Sequence, residues 1–290
     1  MSSPSATLIH PVALDGALAE QRPAPAPPAR GAGTGPWIGA FVWRGLKPAV
    51  AILAFLAVWE IAPRLGLVDE VFLPPFTVVA DAFAQLIGDG RLAEHLGASL
   101  SRAVTGFGIA VLVAIPLGVA IGWYRPVAEF LDPILELFRN TAALALLPVF
   151  ILILGIGETS KVALVTYAST FPILLNTVSG VRTVDPLLVK SARSLGLPSY
   201  RLFQKVILPA AVPTIFTGIR MAAASSILVL IAAEMVGAKA GLGYLVTASQ
   251  LNFQIPNMYA GIVAISLVGL TFNGILVAVE RRLSRWRADR

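Results

Sequence analysis

Apolar residues fill this chain in blocks, and the few charges fall between the blocks. Charge-poor runs near the roughly 20 residues that a helix needs to cross hydrocarbon recur six times. They are Leu46–Pro63, Ala103–Gly122, Asn140–Ile156, Val162–Val181, Thr214–Val236 and Met258–Val279. Lys47 and Arg64 lie at the ends of the first, Arg102 and Arg125 beyond the second, Arg139 and Glu158 around the third, and Lys161 and Arg182 around the fourth. Glu60 falls near the end of the first span, Arg220 near the start of the fifth and Glu234 near its end. The charge-free run before the sixth is too long for one helix. Gly241, Gly243, Asn252, Gln254 and Pro256 mark its first part as a loop or a short surface helix. Segment 64–100 turns at Leu73-Pro74-Pro75 and offers Thr77 or Asp81 as a cap. It reads as a lid on the outer face.

One polar stretch interrupts this pattern, Val184–Pro213. Asp185-Pro186 is a helix start, an Asp cap followed by Pro at the first helical position. Leu187, Leu188, Ala192 and Leu195 give that helix a short apolar face, and Gly196 permits a left-handed end. Pro198-Ser199 restarts the chain. Tyr200, Phe203, Val206 and Ile207 form a second stripe, and Pro209 and Pro213 are expected to close the unit.

Composition agrees with the membrane reading. Only 13% of the 290 residues are charged and 57% are hydrophobic, against about 25% charged in soluble domains. The fold class expected is all-α, a polytopic membrane protein of six transmembrane helices. Residues 1–40 are a Pro/Ala-rich tail that cannot bury a core and is expected to be disordered. Residues 41–285 form the membrane domain and 286–290 a basic tail. With both termini placed inside, sixteen Lys and Arg fall on the inner side and five on the outer. That bias predicts cytoplasmic termini and a cytoplasmic 184–213 loop. The net charge of +6 is then a matter of topology, and no nucleic-acid partner is needed.

Catalytic chemistry is missing from the sequence. There is no Cys, no phosphate-binding GxxxxGK[ST], no HExxH and no GxSxG. No catalytic residue, resident cofactor or metal site is expected. Scattered polar residues in the spans each admit two readings. Asn140 and Thr141 either line the mouth of a pathway or cap the third span. Asn176 lines a path or satisfies backbone near Pro172. Ser225 and Ser226 face a path or permit close helix packing. Arg220 pairs or snorkels, and Glu234 sits at the interface.

The 184–213 stretch resembles the cytoplasmic coupling loop of ABC importer permeases. That pattern is Glu-Ala-Ala-x-x-x-Gly, then Ile-x-Leu-Pro about nine residues later. Here Lys190-Ser191-Ala192 precedes Gly196, and Ile207-Leu208-Pro209 follows. Lys190 stands where the pattern has Glu. Arg139-Asn140-Thr141, Gly155-Ile156-Gly157-Glu158, Ala233-Glu234 and Gly241-Leu242-Gly243-Tyr244 extend the likeness toward permeases for nitrate, taurine and aliphatic sulfonates. The resemblance implies a subunit of a bacterial inner-membrane importer. Its partners would be separate ATPase subunits that carry ATP and Mg, a periplasmic or lipid-anchored substrate-binding protein, a second permease copy in a homodimer, and membrane lipid. It places the ATPase contact on Lys190, Ala192, Leu195, Gly196, Leu197, Tyr200, Phe203, Leu208 and Pro209. The path candidates are Asn140, Thr141, Asn176, Ser225 and Ser226. Two other readings stand beside it: a membrane scaffold or sensor that recruits a cytoplasmic protein, and a secondary transporter. The second would usually need intramembrane carboxylates for ion coupling, and only Glu60 and Glu234 are available.

Overall fold

The computed structural model describes residues 37–283. The expected disordered and basic tails lie outside them, apart from residues 37–40. The chain divides into two compact units, residues 1–53 and 54–290. Of the first, residues 37–53 are described, and they form the start of helix α1 (Trp37–Arg64). The second contains the rest of α1, then α2 (Phe76–Gly88), α3 (Arg91–Trp123), α4 (Arg125–Arg139), α5 (Leu147–Leu154) and α6 (Glu158–Arg182). These are followed by α7 (Pro186–Ser194), α8 (Ser199–Leu202), α9 (Leu208–Met235), α10 (Leu242–Leu251) and α11 (Ile255–Leu283). All regular structure among the described residues is helical.

Helices α3, α6 and α9 form the centre of the second unit, and small residues set their approach. Ala103, Gly106, Ala110, Ala114 and Gly118 recur every three or four residues along α3, so they share one face. All five are buried. A Cβ on Gly118 would lie 2.7 Å from Thr177 Cβ of α6, and one on Gly218 of α9 would lie 2.7 Å from Pro172 O. This is how membrane helices associate, since lipid gives no hydrophobic drive and close backbone contact must supply the attraction. Gly118→Val should therefore destabilise by about 1–3 kcal/mol, the usual cost of overpacking. A lower melting temperature with retained helicity is the expected readout, and an unchanged melt would contradict this packing.

A second core joins α2, α3, α10 and α11 through Val79, Leu86, Leu92, Leu242, Leu245 and Ala260. Trp59 of α1 stacks near Phe76 and Tyr259 and donates to Pro74 O at 3.1 Å. The caps expected at Thr77 or Asp81 are not used as such. Pro75 is the N-cap of α2, and the Glu60 carboxylate accepts from Thr77 N (3.0 Å) and Thr77 Oγ1 (3.1 Å).

Four helices among the described residues are long and apolar enough to cross a membrane: Arg91–Trp123, Glu158–Arg182, Ser199–Met235 and Ile255–Arg282. A bent pair makes a fifth if it is one span. That pair corrects the expected third span, Asn140–Ile156. Instead α4 ends at Arg139, and the chain turns by 87° into Ala143–Leu154. The break falls where Asn140 caps α4, and Pro148 sits in the first turn of α5. A charge-free run had concealed two helix ends.

The fifth span also differs from expectation. Pro209 and Pro213 do not close the polar stretch, because Ser199–Met235 is one continuous helix of 37 residues. It passes Pro209 through a π turn at Phe203–Ile207, where Leu208 N donates to Phe203 O. That wider register lets the helix continue into a residue with no N–H. Finally, α10 is not a surface helix. Its Leu242 and Leu245 are each 1% exposed.

Candidate functional site

The 184–213 loop is built as its sequence dictates at its first helix. Asp185 accepts from Leu187 N at 2.8 Å, with Pro186 in the first turn. At the other end Gly196 adopts φ +76°. Gly196 N donates to Arg193 O (2.9 Å) and Leu197 N to Ala192 O (3.2 Å), the paired bonds of a Schellman ending. This turn leaves Leu195 80% exposed and Tyr200 70% exposed.

The expected contact residues divide into two faces. Lys190, Leu195, Gly196 and Tyr200 point to solvent. Ala192 is buried, while Leu197, Phe203, Leu208 and Pro209 are half-buried. Phe203 meets the Trp123 ring edge-on at a centroid distance of 5.3 Å. It holds the loop to α3. Leu202, which sequence reasoning passed over, is 1% exposed and joins the same core.

The path candidates are not gathered into one cavity. Asn140 Nδ2 donates to Glu136 O (2.8 Å) and Thr141 Oγ1 to Leu137 O (3.2 Å), so both satisfy the last carbonyls of α4. Asn176 Nδ2 donates to Pro172 O at 2.8 Å and reaches Met221 Sδ at 3.9 Å. Ser225 bonds Met221 O, and buried Ser226 bonds Ala223 O. A cavity of about 370 Å³ between α9 and α11 is lined by Ala223, Ile227, Ser266 and Asn273 among others. Arg220 pairs with Glu280 at 3.1 Å.

At the end of α6 away from the loop, four charges converge: Arg102, Glu158 and Lys161, which bound spans in the sequence pattern, and Glu234, which that pattern places near the end of the fifth span. Arg102 and Glu234, expected at the membrane edge, are both buried. Their side chains are 4% and 0% exposed. Arg102 Nη1 donates to Glu234 Oε1 and to Ala240 O, both at 2.7 Å. Ser99 Oγ lies 2.8 Å from both Glu234 oxygens, and Gly243 N donates to Oε2 at 2.9 Å. A Cβ on Gly241 would collide with this carboxylate, and Gly241 N donates to His95 Nδ1 at 3.3 Å. On its other side Arg102 binds both oxygens of Glu158. Lys161 Nζ bonds Gly157 O (3.0 Å) and Gly237 O (3.4 Å). The cluster thus ties α3, α6, α9 and the start of α10 at a single point. Burial of ion pairs without other support is costly; here each inner group has further hydrogen bonds. A signal for it existed: Ser99 and Arg102 lie on the same α3 face as Gly106 and Ala110.

Residues 94–285 match the family described as binding-protein-dependent transport system inner membrane component. The aliphatic sulfonates transport permease protein SsuC of Bacillus subtilis (strain 168) is 35% identical over 242 residues, 83% of this chain and 86% of that protein. The taurine transport system permease protein TauC of Escherichia coli (strain K12) is 35% identical over 243 residues, covering 82% and 88%. Among solved structures, the MetNI methionine ABC transporter in an inward-facing conformation aligns with a TM-score of 0.57 at 17% identity. It covers 64% of this chain and 93% of that one.

Proposed function

The chain belongs to the family of binding-protein-dependent transport system inner membrane components, and from that premise we propose that it is the permease subunit of an ATP-driven importer for an alkanesulfonate such as taurine. The substrate class follows the two relatives, whose names specify aliphatic sulfonates and taurine. Nitrate, the other solute suggested by motif likeness, has no such support. The chain does no chemistry of its own. ATP and Mg are held by separate ATPase subunits, and a binding protein delivers the solute. Six spans, with α1 as the first, put both termini and the 184–213 loop in the cytoplasm of the inner membrane. The apolar sides of α11, where Leu267, Leu270 and Ile275 are exposed, then face lipid or a second copy.

The observation that carries this reading is the Gly196 turn. It presents Leu195 and Tyr200 outward on a rigid two-helix element fused to a membrane bundle. Short apolar helices of this kind dock in grooves of a soluble partner. Uptake of radiolabelled taurine into vesicles holding the permease, its ATPase and its binding protein tests the assignment. ATP-dependent accumulation is expected, and none with taurine or other alkanesulfonates would refute it. Leu195→Asp places a charge on the docking face and should cut recovery of the co-purified ATPase at least tenfold, the effect of about 1.4 kcal/mol. Its melting temperature should stay at the wild-type value because Leu195 packs on little else. Full recovery of the ATPase would remove Leu195 from the contact.

A further inference from the structure

The guanidinium of Arg102 has two edges in different surroundings. Its Nη1 is held by the buried Glu234 and by the half-buried Ala240 O at the α9–α10 turn. These bonds fix the plane of the group. Its Nε and Nη2 are taken side-on by the two oxygens of Glu158, with Nη2 to Oε1 at 2.7 Å. The Arg102 side chain is 4% exposed, but that of Glu158 is 67% exposed. Glu158 opens α6 directly after the Gly155–Gly157 turn, in which Gly155 takes φ +82°. One partner of Arg102 is therefore anchored, and the other already stands in water.

The charges give the consequence. Arg102, Lys161, Glu158 and Glu234 sum to zero. Lys161 is 3% exposed and within electrostatic reach of the other three. Its two hydrogen bonds, both to carbonyls, leave one ammonium hydrogen uncommitted. Rotation of Glu158 into solvent would leave the group net positive, with a buried two-donor edge lacking an acceptor. Carboxylate, sulfonate and phosphate all present the paired oxygens that this fork accepts.

We propose that Glu158 is a displaceable stand-in, and that the Nε/Nη2 edge of Arg102, supported by Lys161, is a receiving site for an oxoanion at the end of the bundle opposite the 184–213 loop. The inference rests on the sulfonate reading above and adds to it the residues that recognise the sulfonate group. A solute sulfonate and a lipid phosphate share this chemistry, and the solute is the occupant assigned.

The test uses the full chain in nanodiscs, with ethanesulfonate and sulfate as probes. In zwitterionic lipid, Glu158→Gln removes the competing charge and should tighten binding of both probes about tenfold over wild type. Ethylammonium, the cationic control, should gain nothing. Adding Arg102→Lys, which keeps a charge toward Glu234 but loses the fork, should cancel the gain. In the complete transporter, Arg102→Lys alone should raise the KM for taurine about tenfold and change kcat less. Equal affinity in wild type and Glu158→Gln, or a gain that survives Arg102→Lys, overturns the site. If Glu158→Gln binds neither probe but is stabilised thermally by phosphatidylglycerol, the occupant is lipid and the solute assignment falls. If both probes bind as expected yet the wild-type complex transports no alkanesulfonate, the receiving site stands and the substrate reading alone fails.

Discussion

Arg102→Met should remove most of the folded protein from the membrane fraction. The substitution leaves the Glu234 carboxylate, 0% exposed, with only the Ser99 hydroxyl and the Gly243 N–H as donors. Removing one partner of a buried pair costs about 3–5 kcal/mol, because the remaining charge is neither solvated nor neutralised. Total stabilities of folded proteins are only about 5–15 kcal/mol, so such a loss depletes the native state. The control is the double variant Arg102→Met with Glu234→Gln. It removes both charges of that pair while keeping the shape that fits against Gly241, and should recover much of the loss. Glu158 needs no compensation in either variant, since water already reaches it. Yield of monodisperse protein and melting temperature in detergent read both effects. Should the single variant melt with wild type, Glu234 must be neutralised by something other than Arg102.

That cluster also marks where one-dimensional reading stopped. A charge-free length defines a span in sequence, and by that measure Arg102, Glu158 and Lys161 are only its boundaries. Length says nothing about which face of a helix a residue occupies. The facing was nonetheless encoded, because Arg102 follows the inward Ser99 by three residues and precedes Gly106 by four. A cation on a stripe of small inward residues is placed to pair with a neighbouring helix. The broken third span failed for a related reason: hydropathy averages over Asn140 and Pro148, which are a cap and a helix start. The expected close at Pro209 and Pro213 failed in the opposite direction. Pro209 read as a stop, but a π turn, which no short pattern announces, carried the helix past it. Where local chemistry determines structure by itself, the sequence sufficed. Asp185-Pro186 opens α7 and Gly196 closes it as their types require. The four long helices lie on the runs that marked them. The exposed and anchored faces of the 184–213 loop needed the fold, since Leu195 and Phe203 are equally apolar in sequence.

Gly196→Pro should abolish uptake while leaving the bundle intact. Proline fixes φ near −65°, and Gly196 sits at +76°. Proline also removes the N–H that donates to Arg193 O. The residue before a proline is pushed away from the helical region, and Leu195 lies there at φ −81°, ψ 8°. All three effects act on the turn that aims Leu195 and Tyr200. The local cost is about 3 kcal/mol, which as lost docking affinity corresponds to a fall of roughly 100-fold in coupled transport. Nothing lies within 4 Å of a Cβ built at Gly196, so the damage does not spread by collision. Gly196→Ala separates the causes: it keeps the N–H and carries only the left-handed strain of about 1–2 kcal/mol, for a loss of roughly 5- to 30-fold. Taurine uptake and ATPase recovery should fall in the order Gly, Ala, Pro, with melting temperatures alike. Uptake by the Pro variant at the wild-type rate would exclude the loop as the coupling element. A collapse of the melting temperature in step with uptake would instead make Gly196 a residue of the fold.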